Sequence, residues 1–274
     1  MNTTSIKSEL GENGIIYPSN NIMLDLKHLK KVYPTPQGDY TVLEDLNLQI
    51  KREEFVTIIG HSGCGKTTML SMIAGLNSIS GGSISVLGNS IKGPGPDRGV
   101  IFQSPSLMPW MTALQNVLLG VNKVFPHATK NQLKDIAKYY LHKVGLEADF
   151  HKKASSLSQG MQQRVGIARA FAIKPKVLLL DEPFGMLDSL TRGELQDILI
   201  EIWNKEKITA IMITHDVDEA IFLADRVVMM TSGPKARIGD VLNIDFKRPR
   251  TRKSVLEHNN YYKYRKHLID FLEH

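Results

Sequence analysis

The sequence is poor in cysteine and in long apolar runs. Cys64 is its single cysteine, which excludes an internal disulfide and favours a reducing compartment. No run of about 18 uncharged apolar residues occurs, so a membrane-spanning helix is not expected. The first twenty residues are polar and lack the apolar core of a secretory signal. We therefore expect a cytosolic protein, which would need separate chains for any membrane function.

The net charge of the sequence is also small. Lys and Arg number 34 against 28 Asp and Glu, a net charge of +6 over 274 residues. Basic residues are concentrated between Lys247 and Lys266, so the excess reflects a local tail more than a basic surface. Nucleic-acid binding is therefore not predicted.

What the chain does contain is an alternation of strands and helices. Continuous apolar runs typical of buried parallel strands occupy residues 55–59, 177–180 and 210–213. Helical patterns at 195–206 and 217–224 lie between or after them. Earlier, apolar residues at 23–26 and 42–50 flank a turn at 34–39 and predict two strands. These patterns predict an α/β fold with a mainly parallel core sheet covered on both faces.

The same patterns divide the chain into parts. Residues 1–22 are polar and aperiodic, which predicts a flexible lead. A main domain over 23–245 contains an N-terminal antiparallel β subdomain and an inserted, mostly helical lobe at about 104–165, with 131–144 as its clearest helix. A basic extension follows at 246–274. Within it, residues 254–272 are predicted to form an amphipathic helix that packs back on the core or offers a regulatory contact surface.

A glycine-rich loop follows the first buried strand directly and opens a helix. It matches the pattern G-x-x-x-x-G-K-[ST] and consists of Gly60, His61, Ser62, Gly63, Cys64, Gly65, Lys66, Thr67 and Thr68. Such a loop can wrap its backbone N–H groups around phosphate oxygens at a helix N-terminus. Lys66 would bridge the β- and γ-phosphates of a nucleotide, and Thr67 would bind Mg²⁺. The alternative is a turn that merely joins strand and helix.

Two loop residues invite other interpretations. Cys64 could be a reactive nucleophile, but its position inside the loop favours a small residue that fills space. His61 is likewise interpreted as a loop residue that contacts nucleotide, in preference to a base.

A second group of candidate catalytic residues, Asp181 and Glu182, follows the apolar run 177–180. Adjacent side chains on a strand point in opposite directions, so the two acids can serve different partners. We assign Asp181 to Mg²⁺ and Glu182 to the attacking water as general base. The alternative is a strand that ends in a charged turn.

Four further segments resemble the ABC-type ATPases. The sequence Leu-Ser-Gln-Gly-Met at 157–161 resembles their signature, Leu-Ser-Gly-Gly-Gln. Gln103 resembles the Q-loop glutamine, Asp188 in Gly-Met-Leu-Asp resembles the D-loop, and His215 resembles the switch histidine. Order and spacing agree over about residues 22–245. Gln159 and Met161 depart from the usual signature, whereas Ser158 and Gly160 match it.

The resemblance implies a mechanism in which ATP is held between two nucleotide-binding subunits. Ser158, Gln159, Gly160 and Met161 would face the γ-phosphate held by the partner, and Ser158 also has the features of a helix N-cap. Gln103 would contact Mg²⁺ and the water, and His215 the γ-phosphate. Tyr33 would stack on adenine, with Tyr40 as the rival. The implied cofactors are ATP and Mg²⁺.

The lobe after Gln103 narrows the resemblance further. Its Leu-Met-Pro-Trp sequence at 107–110, Met161 and the segment 245–250 resemble ATPase subunits of nitrate, bicarbonate, cyanate, sulfonate and taurine importers, with the nitrate type nearest. Leu107, Met108, Trp110 and Met111 would line a groove for membrane subunits, or else form part of a buried core.

This resemblance implies a set of partners and a location. The partners would be a second, identical or different, ATPase subunit, two transmembrane permease subunits and indirectly a solute-binding protein. The location would be peripheral, at the cytoplasmic face of the inner membrane. The expected function is ATP-driven uptake of a small anion, with nitrate or nitrite first and bicarbonate, cyanate or sulfonate as alternatives.

Three rival functions remain at this stage. One is an ABC ATPase that acts on nucleic acid or ribosomes, although tandem cassettes and long coiled coils are not apparent. Another is an exporter or lipoprotein-release ATPase. The third is a nucleotide-binding regulator that does not hydrolyse ATP, against which Glu182 argues.

Overall fold

The computed structural model describes residues 9–10, 16–17 and 21–273. Two short strands, β1 (Glu9–Leu10) and β2 (Ile16–Tyr17), form an antiparallel pair. The rest of the predicted flexible lead up to residue 20 lies outside the described residues.

A four-stranded antiparallel sheet forms the first layer. Its strand order is β4-β3-β6-β7, and its strands are β3 (Ile22–Thr35), β4 (Gly38–Lys51), β6 (Gly81–Val86) and β7 (Asn89–Ser90). The turn between β3 and β4 is shorter than the predicted 34–39, because cross-strand pairing continues to Thr35 and Gly38.

A six-stranded sheet forms the core, in the order β12-β11-β5-β10-β9-β8. The strands are β5 (Phe55–Gly60), β8 (Arg98–Ile101), β9 (Val177–Asp181), β10 (Thr209–Ile213), β11 (Arg226–Met230) and β12 (Ile238–Asn243). All pairings are parallel except that of the edge strand β12 with β11. The predicted α/β fold with a mainly parallel core sheet and an antiparallel β subdomain is confirmed.

The apolar strands bury both faces of this sheet. Phe55 and Ile59 belong to one core cluster, whereas Val56 and Ile58 belong to the other. This division follows the period of two along a strand. Continuous apolar runs are therefore needed, since helices cover one face and the antiparallel sheet with α1 covers the other.

Eight α-helices are described. They are α1 (Lys66–Ile73), α2 (Ala113–Val124), α3 (Lys130–Lys143), α4 (Gln159–Ala172), α5 (Ser189–Glu206), α6 (Val217–Leu223), α7 (Arg252–Leu256) and α8 (Tyr261–Glu273), with a 3₁₀ turn at Ala154–Ser156. Helices α2 and α3 each begin with a capping box, formed by Thr112 with Gln115 and by Thr129 with Gln132. Both pack against α4 and build the helical lobe.

Two helix predictions need correction. The helix predicted at 195–206 begins at Ser189, because the Asp188 carboxylate accepts hydrogen bonds from the Leu190 and Thr191 N–H groups and caps it earlier. The single helix predicted at 254–272 is divided into α7 and α8. The second part does pack back on the core, since Tyr261, Tyr264 and Leu268 are buried.

Candidate functional site

The glycine-rich loop connects the end of β5 to the start of α1. Gly63 and Gly65 adopt φ values of 78° and 97°, a left-handed region that glycine enters without steric cost. A Cβ on Gly65 would lie 2.7 Å from Val42 Cγ1. The loop therefore packs too closely on β4 to accept a side chain there, and it leaves the N-terminal end of α1 facing the loop interior.

Lys66 is folded into this loop. Its ammonium donates hydrogen bonds to the backbone oxygens of Gly60 at 2.7 Å and His61 at 2.9 Å, and the residue is 7% exposed. Anionic phosphate oxygens are stronger acceptors than neutral carbonyls. The ammonium is thus positioned inside the loop, where a polyphosphate can compete for its donors.

The side chains of Cys64 and His61 both contact other residues of the protein. Cys64 is fully buried, with its Sγ 3.8 Å from Lys66 Nζ. The imidazole Nδ1 of His61 lies 3.1 Å from Ser232 Oγ. Burial suits the interpretation of Cys64 as a residue that fills space, and His61 contributes its backbone carbonyl to the loop.

Thr67 and Asp181 bring the loop and the end of β9 together. The Thr67 hydroxyl donates to Asp181 Oδ1 at 3.1 Å. Burial raises the pKa of the Asp181 carboxyl; the Thr67 hydrogen bond and Lys66 oppose this shift, while the neighbouring Glu182 adds to it. One hydroxyl and one carboxylate oxygen are suitable ligands for Mg²⁺, which usually takes its remaining oxygens from phosphate and water.

The metal site would be incomplete without such outside oxygens. Among residues 21–273, no cluster of three or more His, Cys, Asp or Glu side chains could hold a metal alone. The residues present therefore fit a cation that arrives with a phosphorylated substrate.

Glu182 and His215 form the opposite wall of the site. His215 Nδ1 lies 3.3 Å from Glu182 Oε2. The Glu182 N–H donates to the Ile213 carbonyl at 3.0 Å, which fastens the end of β9 to the end of β10. Glu182 has φ 44°, a left-handed conformation that is uncommon for a residue with a side chain. This backbone turn directs the carboxylate towards His215.

Gln103 approaches the same wall from the loop after β8. A Cβ on Gly185 would lie 3.6 Å from both Gln103 Nε2 and Glu182 Oε2. The two side chains therefore border the same backbone position, although 79 residues of sequence, by their numbering, separate them.

Several of these groups line one cleft of about 450 Å³, whereas Asp181, Gln103, Cys64 and His61 are not among its lining residues. It is lined by Val42, Gly60, Ser62, Gly63, Gly65, Lys66, Thr67, Thr68, Glu182 and His215. Nine of these ten are among the residues singled out from the sequence. Val42 was missed, because an apolar residue in a strand carries no chemical signal.

The signature residues are not among those that line this cleft. Ser158 is the N-cap of α4, and its hydroxyl accepts a hydrogen bond from the Met161 N–H at 3.3 Å. Ser158 and Gln159 are exposed, whereas Met161 packs partly against the core. A Cβ on Gly160 would lie 2.7 Å from Thr191 Cγ2. A phosphate at Ser158 would therefore come from a nucleotide outside this chain's own cleft.

Asp188 and the aromatic candidates also lie outside the cleft. Asp188 caps α5, and hydrogen bonds from Thr191 lower its pKa. Tyr33 and Tyr40 are opposite each other across β3 and β4, and both rings are partly exposed. Asn77 donates to the Tyr33 hydroxyl at 2.7 Å, and Lys31 Nζ lies 4.6 Å from the ring centre. Tyr33 stays a prediction for adenine stacking.

The chain is similar in sequence to known proteins. The sequence model of the ABC transporter family matches residues 43–185. The bicarbonate transport ATP-binding protein CmpD of Synechocystis sp. is 52% identical over 91% of this chain and 88% of its own length. The nitrate import ATP-binding protein NrtD of Synechococcus elongatus is 49% identical over 88% of each.

A solved structure shows the same likeness. The dimeric structure of the bacterial ABC transporter cassette MJ0796 has a TM-score of 0.73 and 31% identity, covering 82% of this chain and 100% of that one. Its post-hydrolysis dimer bound to ADP and Pi has a TM-score of 0.73 and 30% identity.

Proposed function

This chain belongs to the ABC transporter family and is a transporter ATPase, and from that premise we propose that its cleft hydrolyses ATP to drive the uptake of a small inorganic anion. The observation that carries the proposal is the convergence of Lys66, Thr67, Glu182 and His215 on one cleft, with Asp181 hydrogen-bonded to Thr67.

The roles of the cleft residues follow from their placement. Lys66 would hold phosphate oxygens, since its ammonium already lies within the loop. The Glu182 carboxylate would accept the proton of an attacking water, and His215, 3.3 Å away, would contact the γ-phosphate. Thr67 and Asp181 would hold Mg²⁺, which supplies charge neutralisation when bound. Gln103 would orient the water from the same side as Glu182. Catalysis would thus consist of positioning and charge stabilisation.

Pairing with a second ATPase subunit is part of the proposal. Ser158 is exposed outside the cleft of its own chain, so its phosphate contact requires a partner. Two large apolar residues beside Asp188 support an interface there, because Met186 and Leu190 are 55% and 80% exposed. The partner would be a second copy or a related, different subunit.

The membrane component would come from other chains. In the described part of the chain, no helix has both the length and the apolar character needed to cross a bilayer. Trp110, in the predicted groove of the helical lobe, is 67% exposed, and Leu119 on α2 is 43% exposed. Such side chains favour a docking surface for two permease subunits, which would hold the chain at the cytoplasmic face of the membrane and connect it to a solute-binding protein.

The transported solute is proposed as bicarbonate or nitrate. The sequence analysis favours nitrate, whereas the somewhat higher identity to CmpD than to NrtD favours bicarbonate. Solute recognition would reside in the other chains, so the fold of this subunit does not discriminate between two anions of the same charge and similar size.

Reconstitution tests this function. The chain is purified from its source membranes through an affinity tag, co-purifying chains are identified, and the complex is placed in vesicles. We expect ATP-dependent uptake of labelled bicarbonate or nitrate, and its loss in Glu182→Gln. Co-purification of nucleic acid or ribosomes without permease chains would contradict transport and support the non-transport alternative.

A further inference from the structure

Gln163 on α4 connects three parts of the site through one side chain. It is 2% exposed. Its amide Nε2 donates to the Phe102 carbonyl at 3.3 Å and to the Pro183 carbonyl at 2.7 Å. Phe102 precedes Gln103, Pro183 follows Glu182, and Ser158 is the N-cap of α4. The amide thus joins the signature helix to the segments that carry Gln103 and Glu182.

The chemistry of this position suits an amide. Two carbonyl oxygens face the same nitrogen, and a neutral NH₂ group offers one hydrogen to each without placing a charge in this buried position. Gln163 Oε1 is buried and makes no hydrogen bond with the described residues. A buried acceptor without a partner has an energetic cost, so packing alone does not favour glutamine here. The two hydrogen bonds that its amide donates offset this cost.

The same face of α4 makes further contacts with the loop after Gln103. Arg169 donates to the carbonyls of Pro105 at 2.8 Å and Ser106 at 3.0 Å. A Cβ on Gly166 would lie 3.8 Å from Pro105 Cβ. Positions 163, 166 and 169 recur every three residues and share one side of the helix. These contacts therefore fasten the Gln103 loop to α4, and Gln163 also fastens the Glu182 segment to it.

We propose that Gln163 is a positioning residue that couples the helix carrying Ser158 to the segments carrying Gln103 and Glu182. Because Ser158 would serve the nucleotide of the partner subunit, this connection transmits the state of one cleft to the hold on the other nucleotide. The inference rests on the proposed function, namely hydrolysis by paired subunits.

The first test compares Gln163→Met with Gln162→Met in the full chain assembled with its native partners. Methionine keeps the length of the side chain and removes the donors. Gln162 is a matched control, because its Nε2 donates to the Leu157 carbonyl at 3.0 Å and to neither cleft wall. For Gln163→Met we expect kcat to fall about tenfold, KM to change little, and the Hill coefficient for ATP to fall to about 1. Gln162→Met should keep the cooperativity of the wild type.

A second variant guards against loss of folding. Gln163→Glu would place carboxylate oxygens against the Phe102 and Pro183 carbonyls, whereas the protonated acid can donate to one of them. Burial favours the protonated form, so kcat relative to wild type should rise several-fold as pH falls from about 8 to about 6. A purely structural role would change the melting temperature without this recovery of kcat.

The outcomes separate the two proposals. Wild-type cooperativity in Gln163→Met, equal loss in both methionine variants, or non-cooperative wild-type hydrolysis would overturn the coupling. Absence of hydrolysis in the wild-type complex would instead count against the proposed function.

Discussion

His215 Nδ1 lies 3.3 Å from Glu182 Oε2, at the ends of two neighbouring parallel strands. The carboxylate side chain is 25% exposed and the imidazole is 64% exposed. The pair therefore combines a fixed carboxylate with a more accessible ring at the edge of the cleft. In the proposed mechanism, Glu182 would polarise a water and His215 would contact a phosphate.

Replacing Glu182 with glutamine tests the base. Glu182→Gln keeps the shape of the side chain but removes the proton acceptor, so kcat should fall by about 10²- to 10⁴-fold. ATP binding should persist, and the ATP-bound dimer should accumulate in gel filtration. Hydrolysis at the wild-type rate would remove Glu182 from this role.

Lys66→Ala tests the phosphate loop. A hydrogen bond to a charged group contributes about 1.5–3 kcal/mol, which corresponds to roughly 10- to 100-fold in ATP affinity. The loss should appear in equilibrium binding of a fluorescent ATP analogue. An unchanged dissociation constant would contradict the placement of phosphate at Lys66.

Thr67 offers a test of the metal site. Thr67→Val removes the hydroxyl that reaches Asp181, and the Mg²⁺ concentration needed for half-maximal hydrolysis should rise at least about tenfold. Thr67→Ser keeps the hydroxyl and should behave like wild type. Equal Mg²⁺ requirements in the valine and serine variants would exclude a metal role for the hydroxyl.

Two substitutions of Ser158 can distinguish its role as a helix cap from its proposed role in binding phosphate. Ser158→Ala removes the cap of α4 and should cost about 0.5–2 kcal/mol of unfolding free energy. Ser158→Asp caps equally well but directs a negative charge at the partner's nucleotide. It should keep the stability and abolish ATP-dependent pairing, measured by sedimentation. Normal pairing of the aspartate variant would limit Ser158 to capping.

The buried carboxyl of Glu219 should make the free energy of unfolding depend on pH. Burial raises the pKa of this carboxyl above its ordinary value of 4.5, although the Thr214 and Gln196 hydrogen bonds oppose the shift. The folded state thus binds the proton more tightly than the unfolded state. Ionising the Glu219 carboxyl therefore lowers the free energy of unfolding. This loss is absent below pH 4.5 and grows as pH rises through the raised pKa.

Glu219→Gln should remove this dependence. The variant should match or exceed wild type in unfolding free energy at neutral pH, and its curve of free energy against pH should be flatter above the ordinary carboxyl pKa. Urea titrations at several pH values provide the measurement. A steeper decline in the variant would contradict the burial argument.

The C-terminal extension shows where sequence patterns were insufficient. Its apolar residues predict one amphipathic helix, but α7 ends at Leu256 and α8 begins at Tyr261. The Tyr261 hydroxyl donates to Asp218 on α6 at 2.8 Å, and Tyr264 donates to Asp245. These contacts fix the second helix against partners that are distant in sequence, so its start could not be deduced locally.

The sequence alone determined the parts of the protein whose chemistry is local. The glycine-rich loop, the apolar strands and the acids at 181 and 182 are contiguous, and backbone sterics with strand periodicity suffice to predict them. Only the tertiary structure decided that Thr67 meets Asp181, that His215 meets Glu182, and that Gln163 holds two carbonyls from segments distant in sequence. These contacts depend on how distant segments pack around one sheet. The identity of the segments that meet leaves no periodic pattern in the chain.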